Sequence, residues 1–293
     1  HAASSLILHF VSSRAAHYMD EIPFPGNWRA HPSSPKQATA EKGDDRMTFA
    51  AFEIIGEDHP SRWLVTCDHA ANAVPPDVGG GTLGIAADDM RRHIAYDVGA
   101  AGVTRALAAQ LGAPAILSTF SRLVIDPNRG EDDPTLVMRL YDGTIIPANR
   151  HIDETEIARR LTHLYRPYHD AYARLAARRP DTVVCAIHSF TPRLRGRHPR
   201  PWQIGVLHSH RDSRLALPLI DRLRAEPDLT VGDNEPYSGH LDGDAIDRHA
   251  LAHGRPNVLI EVRNDLIADE VAQTAWAKRL APILSEVLAA SGL

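Results

Sequence analysis

Two histidines follow apolar segments of the sequence, at positions where a metal ligand would be expected. His69 comes two residues after the run Trp63–Cys67, and His188 directly follows the run 182–187. Apolar runs of this length predict buried parallel strands, and sites in such sheets form just beyond the carboxyl ends of the strands. Two histidines brought together there could ligate one zinc ion. The alternative is a pair of unrelated loop histidines that cap backbone groups.

Asp97 is a carboxylate on a surface that is otherwise apolar. A helix is predicted over residues 88–111, and Asp97 falls on its apolar face. Because an unpaired buried charge is costly, this side chain needs a partner. The partner could be a metal ion, a metal-ligating histidine or an arginine. An ordinary ion pair with Arg91, Arg92 or a more distant arginine would satisfy it equally well.

Glu261 lies inside another apolar run, residues 257–262, which predicts the last strand. A carboxylate in the middle of a buried strand is unusual. Burial raises the pKa of a carboxyl group, which suits a general base that works near neutral pH. The alternative is a buried salt bridge, for which Arg129 is a candidate partner.

The segment 121–129 carries two arginines and an amide, namely Arg122, Asn128 and Arg129. Arginine binds carboxylates through two parallel hydrogen bonds, so these residues predict a site for an anionic substrate. In a purely structural interpretation, Asp126 and Arg129 only pin a loop. A second arginine-rich segment, 192–202, predicts either a positively charged lid or an ordinary solvated loop.

Strand-like and helix-like segments alternate along the chain from Met47 onward. Further strands are predicted at 115–118, 122–125 and 203–207, and further helices from residue 153, over 215–223 and over about 267–290. This alternation predicts an α/β fold, with a mostly parallel or mixed central sheet and helices on both faces.

The first part of the chain differs from the rest. Residues 1–46 are rich in Ser, Ala, His and Pro and show no sustained period. We expect them to be a loosely ordered N-terminal extension. Residues 47–293 are expected to form a single α/β domain.

The composition excludes several classes of protein. The 293 residues carry 32 Lys and Arg against 37 Asp and Glu, so no basic excess points to nucleic acid or to an anionic membrane. No apolar run approaches the roughly 20 residues that span a bilayer. Two cysteines cannot form a disulfide framework, which favours a cytoplasmic location.

Short blocks of the sequence together resemble the N-formylglutamate amidohydrolase family. The blocks are Cys67-Asp68-His69-Ala70 with Pro75, Tyr96-Asp97-Val98-Gly99-Ala100, Ser121-Arg122 to Arg129, Tyr168-His169, Ile187-His188-Ser189 and Leu259-Ile260-Glu261. The resemblance covers roughly residues 60–290 and rests on the order and joint presence of the blocks. More distantly, the chain is similar to the zinc carboxypeptidases and aspartoacylases, which implies a zinc-exopeptidase-like sandwich.

The resemblance implies a metal site. His69 and His188 would ligate one zinc ion. In the more distant families a glutamate ligand stands three residues after the first histidine, and this chain has Asn72 there. Because an amide oxygen is a poor zinc ligand, Asp97 is the expected third ligand and Asn72 the alternative.

The resemblance also implies roles in catalysis and substrate binding. Glu261 would be the general base that activates a water molecule. Arg122 would stabilise the oxyanion or the substrate. Asn128, Arg129 and Arg263 would bind a substrate carboxylate.

The function implied is metal-dependent hydrolysis of the amide bond of an N-formyl amino acid. The substrate would be a small anionic N-acyl amino acid, with N-formyl-L-glutamate the best candidate, giving formate and glutamate in histidine degradation. One alternative is a deacylase for another acidic N-acyl amino acid. A second alternative is a binding or regulatory module without activity, which the amide at Asn72 in place of a carboxylate motivates.

Overall fold

The structure is a computed structural model and describes residues 49–293. In this range, short strands form two sheets. The strands are β1 (Phe52–Ile55), β2 (Trp63–Cys67), β3 (Ala115–Ser118), β4 (Leu140–Tyr141), β5 (Thr144–Ile145), β6 (Val183–Phe190), β7 (Ile204–Leu207), β8 (Val231–Asp233) and β9 (Asn257–Arg263). Seven of them form one sheet in the order β1-β3-β2-β6-β9-β7-β8, and β4 pairs with β5 in a separate hairpin. In the large sheet, neighbours are parallel except β1 with β3 and β7 with β9. The expected mixed sheet of an α/β fold is confirmed.

Helices cover both faces of this sheet, as expected. They are α1 (Ala87–Met90), α2 (Ala100–Leu111), α3 (Glu154–Arg160), α4 (Arg166–Ala177), α5 (Ala216–Arg224), α6 (Ala245–His249) and α7 (Glu270–Ser291). On one face α2, α5 and α7 share an apolar cluster with strand side chains such as Val65 and Ile260. On the other face α4 and α6 share a cluster with Leu64 and Leu259. Since successive strand side chains point to opposite faces, a wholly apolar strand contributes to both clusters.

The helix predicted over 88–111 is wrong. It is interrupted between α1 and α2, where residues 91–99 form turns, so Asp97 lies in a turn and not on the apolar face of a helix. The backbone N–H of Asp97 donates a hydrogen bond to the carbonyl oxygen of His69 (2.9 Å). Gly99, with a φ of 82°, directly precedes α2. The hydrogen bond between Asp97 and His69 holds the turn against the loop after β2. A continuous helix would place Asp97 elsewhere.

The strand predicted over 122–125 is also wrong, because these residues lie in a turn region. Leu123, Val124 and Ile125 are buried in a separate apolar cluster beside the sheet, which explains their apolar character without a strand. The strand predicted to end before His188 instead continues as β6 to Phe190, so His188 lies within it.

Two further predictions concern the N-terminal segment and membrane-spanning helices. The predicted N-terminal extension, residues 1–46, lies outside the described residues. From residue 49 to 293, no helix is both long enough and apolar enough to cross a membrane.

Gly99 is a position at which a side chain should be costly. A Cβ atom there would lie 2.2 Å from the carbonyl oxygen of Ile267, and the positive φ disfavours other residues. We expect Gly99→Ala to lower the free energy of unfolding by about 3 kcal/mol or more, since overpacking and left-handed strain add. In the matched control Gly112→Ala, φ is 54° and the space is open, so strain alone should cost about 1 kcal/mol. Denaturant unfolding measures both variants, and equal losses would contradict the close-approach explanation.

Candidate active site

Three adjacent parallel strands bring the predicted chemical residues together. In the sheet β6 lies between β2 and β9. His69 follows β2 by two residues, while His188 on β6 is the direct register partner of Glu261 on β9. All three side chains are buried and line one cavity of about 170 Å³. The fold therefore brings His69 and His188 together, as the apolar runs predict.

Asp97 joins the two histidines. Its Oδ2 lies 3.3 Å from Nδ1 of His69 and 2.8 Å from Nδ1 of His188. One potential ligand atom from each of the three residues lies within 4.8 Å of the others, and all three residues are buried. Two histidines and a carboxylate are a donor set that catalytic zinc sites use.

The outer nitrogen of each histidine ring faces another buried carboxylate. Nε2 of His69 lies 2.7 Å from Oδ1 of Asp126, and Nε2 of His188 lies 3.3 Å from Oδ2 of Asp68. The Nδ1 atoms of both rings point at Oδ2 of Asp97, and Nε2 of His188 forms no hydrogen bond with Asp68. With a cation bound at the Nδ1 atoms, the ring hydrogens would stand on the Nε2 atoms, which face carboxylates. These residues therefore fit a bound cation.

The charge distribution points the same way. Three buried carboxylates surround the two histidines, and Arg122 is the buried guanidinium that lies among them. Burial by itself would lower the pKa of His188, but the carboxylates of Asp68 and Asp97 outweigh it and raise that pKa well above its ordinary value. Burial would likewise raise the pKa of Asp97, but His69 and His188 outweigh it and lower that pKa. The carboxylates thus stabilise positive charge between them, whether it stands on the His188 ring or would be supplied by a bound cation.

The structure does not bring Asn72 into this group. Its side-chain amide donates a hydrogen bond to the carbonyl oxygen of Met90 (2.8 Å), and it is not among the residues that line the cavity. Of the expected arginine partners of Asp97, two are engaged elsewhere, while a more distant arginine, Arg122, has its Nη1 3.7 Å from Oδ1 of Asp97. Arg91 pairs with Asp88, and Arg92 pairs with carboxylates other than that of Asp97.

Glu261 is a buried carboxylate without a cationic partner within the described range. Its Oε2 has no hydrogen-bond partner there, and the salt bridge considered with Arg129 does not form. Burial, as the largest influence, raises the pKa of Glu261 to about 7. A group with this pKa can accept and release a proton near neutral pH, which general acid–base chemistry requires.

Arg122 is held firmly beside the metal-ligand candidates. Its Nε and Nη2 atoms donate to Oδ2 of Asp126 at 3.1 and 2.7 Å. Its Nη1 lies 3.7 Å from Oδ1 of Asp97, and its guanidinium carbon lies 5.4 Å from the centre of the Tyr141 ring. These contacts fix a permanent positive charge at the wall of the cavity.

Of the three expected carboxylate-binding residues, the structure places two at the cavity. Asn128 and Arg129 line it, and Oδ1 of Asn128 accepts a hydrogen bond from the backbone of Ala245 (3.1 Å). Arg263 lies outside the lining, at the end of β9. Its guanidinium pairs with Asp265, so the structure does not support the expected substrate contact.

Several lining residues were missed by the sequence analysis. They include His93, Tyr141, Phe190, Tyr237, Asp244 and Leu259. Most stand on loops or at strand positions that no periodic pattern distinguishes, so only the fold reveals them.

A groove adjoins the cavity. It shares His93 and Thr191 with the cavity and is also lined by Arg193 and Arg195. The arginine-rich segment thus contributes positive charge beside the mouth of the cavity.

Replacing a metal-ligand candidate should reduce metal binding. We expect Asp97→Asn and His188→Ala each to lower the zinc bound per chain, because each removes one of three donors. Asn72→Ala should bind as much zinc as the unaltered chain. Elemental analysis after dialysis against zinc measures the content, and thermal unfolding confirms that each variant is folded. Full zinc content in Asp97→Asn together with a loss in Asn72→Ala would identify Asn72 as the third ligand instead.

Known proteins resemble this chain in sequence and in fold. The model of a family described as N-formylglutamate amidohydrolase matches residues 61–268. The gene product Atu2144 from Agrobacterium tumefaciens is 37% identical, with a TM-score of 0.78 over 83% of this chain and 96% of that chain. N-formylglutamate amidohydrolase from Ralstonia eutropha JMP134 is 23% identical and shares the fold, with a TM-score of 0.59 over 81% of this chain and 99% of that chain. No curated protein matches the sequence. The chain belongs to the N-formylglutamate amidohydrolase family and is a hydrolase that acts on an amide bond.

Proposed function

We propose that this protein hydrolyses the amide bond of an N-formyl amino acid, with N-formyl-L-glutamate as the best candidate. The observation that carries the proposal is the buried carboxylate of Glu261, which lacks a partner among the described residues and lines the same cavity as His69, Asp97 and His188. A proton-accepting group beside a metal-ligand set is what hydrolysis of an unactivated amide requires. Membership of the family supports the same reaction.

His69, Asp97 and His188 hold one divalent cation in this proposal. We propose Zn²⁺, because imidazole nitrogen and carboxylate oxygen in a set of three protein ligands are typical of catalytic zinc sites. When bound, such a cation polarises a carbonyl group and lowers the pKa of water.

Glu261 moves the proton. With a pKa of about 7, its carboxylate accepts a proton from the attacking water and then donates it to the nitrogen of the leaving amine. The new C–O bond forms at the formyl carbon and the C–N bond breaks. Formate keeps the oxygen of the water. The second proton of the water also passes to the amine, so the products are the formate anion and glutamate with a protonated amino group, and atoms and charge balance.

Arg122 stabilises the negative charge that develops on the carbonyl oxygen. Two of its nitrogens are occupied by Asp126, and Nη1 lies beside Asp97, one of the proposed ligands. Because Asp126 fixes the guanidinium before substrate binds, little reorganisation is needed as the oxyanion forms.

An acidic amino acid matches the positive charge around the cavity. Asn128 and Arg129 bind one carboxylate of the substrate in this proposal, as both line the cavity. A second carboxylate that reaches the mouth meets the adjoining groove, where Arg193 and Arg195 lie. Nη2 of Arg195 lies 3.9 Å from Oδ1 of Asp89, and the Arg195 side chain is exposed, so a ligand carboxylate can reach it.

We also propose the cytosol as the compartment. Cys67 and Cys185 are both free and buried, as in proteins of a reducing environment.

Formate release tests the reaction directly. We expect the purified chain to release formate from N-formyl-L-glutamate, to lose this activity in a chelator and to regain it with added zinc. N-formyl-L-glutamine has the same shape without the second carboxylate, and it should be a poorer substrate because the arginines lose their partner.

Each other result has a defined meaning. Equal rates with the two substrates would contradict the proposed selectivity for an acidic side chain. Unchanged formate release by a chain shown to be metal-free would contradict the proposed dependence of the reaction on a metal ion. A rise in melting temperature with N-formyl-L-glutamate but no formate would favour a binding module over an enzyme.

Glu261→Gln should leave the fold intact and remove most of the activity. We expect kcat to fall by about 10²–10⁴-fold, because the amide cannot accept the proton of water. The control is Glu235→Gln, at an exposed glutamate outside the cavity lining, which should behave like the unaltered chain. Turnover, zinc content and melting temperature are measured for both. Near-normal turnover in a folded, zinc-loaded Glu261→Gln variant would contradict the role of Glu261.

A further inference from the structure

Behind His188 lies a hydrogen-bonded pair that the proposed mechanism does not use. Oδ2 of Asp68 lies 3.3 Å from Nε2 of His188, and Oδ1 of Asp68 accepts a hydrogen bond from the hydroxyl of Tyr168 (2.5 Å). Asp68 is 1% exposed and Tyr168 is fully buried. The line Tyr168–Asp68–His188 therefore ends at the metal-ligand candidate, on the side away from Asp97.

The two histidines are supported to different extents. Behind His69, Asp126 is fixed by two hydrogen bonds from Arg122 and by one from the backbone N–H of Asn128 (2.9 Å). Among the described residues, the one hydrogen bond to the carboxylate of Asp68 comes from Tyr168. Nε2 of His188 lies 3.3 Å from Oδ2 without forming a hydrogen bond, and no arginine or lysine pairs with this carboxylate. The orientation of Asp68 thus depends on a single phenolic hydroxyl.

We infer that Tyr168 is a positioning residue for the metal centre, acting through Asp68 on His188. The hydroxyl holds one carboxylate oxygen so that the other faces Nε2 of His188. The negative charge that faces Nε2 would favour a ring hydrogen on that nitrogen when Nδ1 binds a cation beside Asp97. The inference rests on the proposed metal site, and it concerns the strength of metal binding rather than the chemical step.

Helix α4 supplies a matched control. Tyr172 lies one turn beyond Tyr168, is also fully buried and belongs to the same apolar cluster. Its hydroxyl donates a hydrogen bond to Oγ1 of Thr66 (3.4 Å) and none to the carboxylate of Asp68. Removing either hydroxyl takes the same atom from the same kind of environment, and only one of the two supports His188.

The test compares Tyr168→Phe with Tyr172→Phe in the full chain. The dissociation constant for Zn²⁺ is measured by competition with a chromophoric chelator. We expect zinc binding to weaken about 10–100-fold in Tyr168→Phe, as when other outer partners of metal-binding histidines are removed. In Tyr172→Phe it should stay within about twofold of the unaltered chain. Formate release by Tyr168→Phe should recover at saturating zinc, which a general loss of structure would not allow.

Three results would overturn the inference. One is unchanged zinc affinity in a folded Tyr168→Phe variant, and another is equal weakening in both variants. If Tyr168→Phe does not fold, Asp68→Asn takes its place, and unchanged zinc affinity there is the third. An unaltered chain that binds no zinc would refute the proposed metal site as well, whereas normal zinc binding in all variants would refute this inference alone.

Discussion

A single buried carboxylate, that of Asp97, is the constraint on which the site depends. Its Oδ2 faces a nitrogen of each of two histidines, and it is almost completely shielded from water. A buried charge of this kind costs several kcal/mol unless it is compensated on all sides. Folding must therefore bring three segments together at once: the turn that carries Asp97, the loop after β2 and the part of β6 that carries His188.

The sheet supplies this placement. Parallel neighbours fix His188 and Glu261 side by side, and the apolar clusters on both faces hold the strands in register. The antiparallel strand β7 closes the other side of β9 at Gly205, opposite Glu261. A Cβ at Gly205 would lie 2.1 Å from the carbonyl oxygen of Glu235, so the loop that carries Tyr237 can approach closely and form a wall of the cavity.

The sequence predicts the strand-borne part of the site well. Apolar runs mark buried strands, so a polar residue such as His188 or Glu261 within or after such a run is conspicuous. The same reasoning fails where the backbone leaves regular structure. Residues 91–99 have apolar spacing compatible with a helix. The hydrogen bond from the backbone of Asp97 to His69 in the loop after β2, which the sequence does not reveal, favours a turn.

Other parts of the site depend on contacts between distant residues. Asp68 and Tyr168 are 100 positions apart, and their hydrogen bond follows from the packing of α4 on the sheet. Arg263 shows the opposite case. It stands two residues after Glu261 in an apolar strand, yet a nearby carboxylate, that of Asp265, pairs with its guanidinium. Proximity in sequence to a site residue was therefore misleading.

The spacing of the three proposed ligands has a consequence for the life of the protein in a cell. Asp97 is 28 positions from His69 and 91 from His188, so an unfolded chain rarely gathers all three. An ion held by these three residues would bind the folded chain in preference and would shift the balance away from unfolded forms. Proteases act on chains that open, so a shortage of the ion would shorten the lifetime of the protein as well as its activity. Metal supply and protein abundance would then rise and fall together.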